Sequence, residues 1–172
     1  MLPFDDPLWT ELCASSNCNA IWLRQWLVQL LDHPDDVVLF GQDCWSLCSE
    51  EVTWAPAFAA APYLVEIARR AAPPARLYQV CFLGEVAMYR VPPGESEQCS
   101  ACPTTLEADF RGAIASASEM AIALLAHATE EADVRCLLAA LAAFKGYIEL
   151  ARGIVDLQHS QRPKVPAEEI EF

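Results

Sequence analysis

The side chains that could do chemistry are eight cysteines: Cys13, Cys18, Cys44, Cys48, Cys81, Cys99, Cys102 and Cys136. The tightest pair is Cys99 and Cys102, in the run "CSAC". One C-x-x-C is half of a zinc site, which needs a second pair of thiolates or suitably spaced histidines. Cys44 and Cys48 are one helical turn apart and could complete four thiolates if folding brings them to Cys99 and Cys102; Cys13 and Cys18 could do the same. A thioredoxin-like redox role for Cys99 and Cys102 would call for a βαβ context, which the sequence lacks. The plain alternative is a set of small buried hydrophobes, and it fits Cys81 and Cys136 best, since both sit within apolar helical rows.

Other catalytic patterns are missing from the sequence. His33, His127 and His159 are scattered, with no H-x-x-x-H or H-E-x-x-H spacing. There is no G-x-S-x-G, no P-loop, no G-x-G-x-x-G and no Glu-x-x-His of a di-iron bundle. The acidic run "LDHPDDVV" lacks the ligand spacing and terminal glutamate of an EF-hand loop. The expectation is a protein with no catalytic residues, no cofactor and no resident metal.

Charge gives the sharper signal. The chain carries −13 overall, which argues against nucleic acid and anionic lipid as partners, because their phosphates demand Lys and Arg. Residues 1–60 hold nine acids against the single base Arg24, together with all five tryptophans. Within that third, Asp32, Asp35, Asp36, Asp43, Glu50 and Glu51 fall at helix ends or in connections that bracket Trp45. Acids around an exposed aromatic would steer and then anchor a basic partner; the plain alternative is solubility plus a tryptophan-rich core.

The elements that must position these residues read as helices. At 172 residues, 54% of them hydrophobic, the chain can bury a core as one domain. The longest apolar run, Trp54 to Val65, is too short to cross a membrane. The start "MLPFDDPLWTELC" has acids where a secretory signal would be basic, so the expected location is cytoplasmic. A short helix is expected over 7–15, followed by one capped by Ser16 or Asn17 and ended by Pro34. Residues 33–42 read as a break and 43–52 as a short helix. In "EEVTWAPAFAAAPYLVEIARR" Pro56 suits a first helical turn, and Pro62 should kink the helix or start a new turn. Its alanines would let neighbouring helices approach closely, making it the central, most buried helix. Pro73 and Pro74 start another; 91–103 is an irregular loop; Thr104 or Thr105 should cap a long helix. An Ala/Leu helix precedes Gly146, and a last one reaches about 157, leaving 158–172 as a polar tail. No run alternates with period two, so essentially no sheet is expected.

The segment "VTWAPAFAAAPYLVEIARRAAPPARLYQVCFLGEV" resembles a helix pair of HEAT-like (α-solenoid) bacterial proteins, through Trp54, Pro56, Ala57, Ala60, Pro62, Leu64, Ile67 and Ala68, with Arg76 near the start of the second helix. "EADVRCLLAALAAFKGY" looks like a later unit. The resemblance implies an all-α fold of about six or seven helices stacked as antiparallel hairpins, over residues 1–157, with no catalytic residues to carry over. Some similar proteins are encoded beside toxins as immunity proteins. The expected function is therefore non-catalytic binding of a basic protein, of immunity type, through Asp32, Asp35, Asp36, Asp43, Trp45, Glu50 and Glu51. The alternative is a metal-binding or redox protein built on Cys99 and Cys102.

Overall fold

A computed structural model describes residues 1–14, 18–49, 52–90 and 102–160. The described chain is all-α, with eight α-helices: α1 Leu8–Ala14, α2 Ala20–Asp32, α3 Val37–Asp43, α4 Ala55–Arg70, α5 Pro73–Met88, α6 Glu107–Leu125, α7 Glu131–Phe144 and α8 Ile148–Ser160. The irregular loop expected at 91–103 lies outside the described residues apart from its last two. Three residues of the expected tail are helical, at the end of α8. Among the described residues no helix is long and apolar enough to cross a membrane.

Two segments differ from the sequence reading. Residues 37–42, expected within a break, belong to α3. Val37, Val38 and Gly41 are poor helix formers, but Asp36 caps the helix by accepting from Leu39 N at 2.8 Å, and Phe40 is fully buried against Trp26 and Phe82. Tertiary burial overrides local propensity here. Of residues 43–52, expected to be helical, Asp43 ends α3, Cys44–Ser46 make a single 3-10 turn, and β1 Cys48–Ser49 pairs antiparallel with β2 Val52–Thr53. Thr53 fixes this hairpin by donating its hydroxyl to Val86 O at 2.8 Å, out of solvent.

Caps also moved. Asn19, rather than Ser16 or Asn17, caps α2 by accepting from Ile21 N and Trp22 N at 3.0 and 3.1 Å. Helix α6 follows Leu106 without a side-chain cap from Thr104 or Thr105. The C-terminus of α4 is closed by Arg76, whose guanidinium donates to Ala68 O at 2.9 Å and Ala71 O at 2.8 Å. Gly146, at φ 82°, turns the chain out of α7 in the left-handed conformation that glycine adopts freely.

Helix α4 lies at the centre, touching α1, α2, α5 and α6. Twelve of its 16 residues are buried, Ala60 and Leu64 completely. It runs through Pro62 as one element, so of the kink or new turn expected there, the new turn does not occur. Its alanines let α6 and α5 come close. Phe58 meets Phe110 edge to face at 5.0 Å, and further along Arg69 donates to Ser116 at 3.0 Å. Both contacts advance the same way along the chain, so α4 and α6 run in the same direction. Helices α5 and α7 do likewise: the Cys81 thiol meets that of Cys136, and Gly84 meets Ala140.

Candidate functional site

The acids singled out from sequence lie around α3. Asp32 ends α2, Asp35 and Asp36 precede α3, and Asp43 is its last residue. Seven residues at about 1.5 Å rise each set the two ends of α3 roughly 10 Å apart. Between them the helix exposes Val37 and Val38, the latter 69% accessible. Beyond Asp43, in the 3-10 turn, Trp45 is 62% exposed. The other tryptophans are built into the protein. Trp9 and Trp26 are buried, with indole N–H groups donating to Pro3 O and Leu39 O at 2.9 Å each; Trp22 and Trp54 are half-buried. Trp45 is thus the tryptophan left to the surface. Glu50 and Glu51 lie outside the described residues.

The four described acids are not alike. Asp32 is exposed at a helix end. Asp36 is exposed but holds the N-terminus of α3. Asp35 accepts from Ala72 N at 2.5 Å, at the start of α5. The same turn is held from the other side by Gln79, whose amide donates to Pro34 O at 2.7 Å. Two of the acids therefore have architectural work in addition to their charge. Asp43 is half-buried, and loss of hydration pushes its carboxyl above the ordinary aspartate value.

The cysteines form two pairs, of which spacing along the sequence had put only Cys13 and Cys18 together. Cys13 and Cys18 are hydrogen-bonded to each other, and so are Cys81 and Cys136, from α5 and α7. Burial pushes the Cys44 thiol up to about 11 and the Cys48 thiol up to about 12, which keeps both protonated and poor as ligands or nucleophiles. Cys102 is half-buried and pushed up to about 11, mainly by desolvation; Cys99 lies outside the described residues. Among the described residues no three His, Cys, Asp or Glu side chains converge on a metal position.

A further feature runs against the overall charge. A cavity of about 440 Å³ opens between α5, α6 and the end of α7, and Arg90, Arg111 and Lys145 all line it above Phe110 and Phe144. Arg90 stacks on Phe110 at 5.8 Å and Arg111 pairs with Glu107. These cations come from three distant parts of the sequence, so no local motif announced them.

Comparison with protein-family models, with curated proteins and with solved structures finds no match to this chain.

Proposed function

We propose that this chain is a non-catalytic protein-binding module, in which α2/α3, α4/α5 and α6/α7 are successive HEAT-like hairpins and the edge around α3 binds a basic protein. The observation that carries the reading is the exposure of Trp45 next to Asp43, at one end of a short helix whose other end carries Asp32, Asp35 and Asp36. Exposed Val37 and Val38 between the two acidic ends supply apolar contact area. Charge at a rim speeds encounter, while a desolvated aromatic slows release. The hairpin reading draws support from the like-to-like contacts of α4 with α6 and α5 with α7. An immunity-type inhibitor of a basic toxin is the most concrete form of this function; it rests on the sequence resemblance and the acidity.

The test is capture from an extract of the source cells on immobilised protein at low ionic strength. Wild type, Trp45→Ala and the double variant Asp32→Lys/Asp43→Lys are compared, each first checked for helix content by circular dichroism. A bound protein released by salt and missing from both variants supports the reading. A bound protein indifferent to salt and to both variants shows that the edge around α3 is not the binding face.

A further inference from the structure

Helices α5 and α7 make their closest approach at Gly84 and Ala140. A Cβ on Gly84 would lie 2.6 Å from Ala140 Cα, so the two Cα atoms stand within about 4.1 Å once a carbon–carbon bond of about 1.5 Å is added. One turn earlier on both helices come Cys81 and Cys136. Their thiols are hydrogen-bonded across the helix pair, which shows that the helices have diverged little over that turn. Disulfides span Cα separations of about 4.4–6.8 Å, and a pair one turn from so close a contact falls naturally into that range. Both cysteines are only half-buried, so a small reagent can reach them. Each faces the other from a rigid helix, and neither has a role in the binding edge around α3.

We infer that Cys81 and Cys136 form a redox-active pair, which a small-molecule disulfide converts into a covalent bridge between α5 and α7. Either sulfur can lead, and the bridge is the same. With Cys136 first, its thiolate attacks one sulfur of the reagent, breaking the reagent's S–S bond and expelling one thiolate, which leaves a mixed disulfide at Cys136. Cys81 gives its proton to the expelled thiolate and attacks the Cys136 sulfur, forming the Cys81–Cys136 bond and releasing the second thiol after protonation from solvent. The balance is two protein thiols and one small disulfide giving one protein disulfide and two small thiols. The bridge fixes the register of α5 against α7 one turn before the Gly84–Ala140 contact.

The experiment exposes the full chain to graded ratios of oxidised to reduced glutathione, quenches with acid, alkylates and maps the peptides by mass spectrometry. A Cys81–Cys136 cross-linked peptide should grow with the ratio, disappear on return to excess reduced glutathione, and accompany a rise in melting temperature. Peptide mapping separates this bridge from any link between Cys13 and Cys18. Cys81→Ser should stop at a glutathione adduct on Cys136, and Cys136→Ser at a glutathione adduct on Cys81. Cys81 and Cys136 remaining alkylated, or ending as separate glutathione adducts, over the whole range would overturn the inference. If either variant fails to fold, the wild-type map decides alone.

Discussion

Gly84 and Ala140 meet with no room for a methyl group between them: a Cβ at position 84 would stand 2.5 Å from the Cβ of Ala140. Gly84→Ala gains up to about 1 kcal/mol of helix propensity, but must force two backbones apart, and overpacking of this kind costs about 1–3 kcal/mol. The net expectation is a lower urea midpoint. Adding Ala140→Gly to Gly84→Ala should not restore the midpoint, because the added Cβ would still stand 2.6 Å from the Cα of residue 140. A single variant as stable as wild type would mean that α5 and α7 do not touch here.

Truncating two tryptophans should give opposite results. Trp26 is 2% exposed and hydrogen-bonded, so Trp26→Ala should cost roughly 3–5 kcal/mol. Trp45→Ala should leave the melting temperature within a few degrees of wild type and affect binding alone. Thermal melts followed by circular dichroism distinguish the two, and a large loss for Trp45→Ala would place that ring in the core.

Removing the α3 cap should be felt in stability. Asp36→Ala deprives Leu39 N of its acceptor, a loss of about 1 kcal/mol in typical helices, and Asp36→Asn should retain most of it. For this reason charge reversal at the acidic edge is cleanest at Asp32 and Asp43. Urea unfolding of the Ala and Asn variants measures the difference, and equal midpoints would deny Asp36 a capping role.

Stability should carry a pH signature from Glu85. Its side chain on α5 reaches the surface, yet partial loss of hydration, and secondarily Cys136, raises its carboxyl above the ordinary 4.5. A carboxyl raised in the folded state favours folding at low pH, and that contribution is lost as pH climbs through the raised value. Glu85→Gln should therefore match wild type near pH 4 and become more stable than it toward pH 7. A difference independent of pH would remove Glu85 as the cause.

At the centre of the molecule, Ala60→Leu should lower the melting temperature. Ala60 is wholly buried, and added volume in a filled core costs about 1–3 kcal/mol. A melt unchanged from wild type would put this face of α4 against solvent.

The helical class and the central place of α4 were legible because they rest on local signals: apolar periodicity, small residues in a run, and prolines at helix starts. Helix α3 was not, since Phe40 holds it in place through contacts with Trp26 and Phe82 that no neighbouring residue encodes. The strand pair at 48–53 was hidden in the same way, being fixed by Val86, more than thirty residues on. Trp45 drew notice for its acidic neighbours, whereas its exposure depends on the 3-10 turn that follows α3, which the sequence did not announce. The capping duties of Asp35 and Asp36 were invisible because a carboxylate in a turn reads as charge until its donor is known. Cys99 and Cys102 stood out by spacing, whereas Cys81 and Cys136 become a pair only through the register of α5 against α7.

The alanine-rich stretch of α4 has a consequence for how the molecule orders itself. A side chain placed in a core gives up its freedom to rotate, but alanine and proline have almost none to give. Ala55, Ala57, Ala59, Ala60, Ala61 and Ala68, with Pro56, make up most of the buried residues of this helix. Its alanine and proline positions are therefore brought to order with little loss of side-chain entropy, and the larger rotamer losses fall on the bulkier residues packed among and against them, such as Phe58 of the same helix and Phe110 of α6.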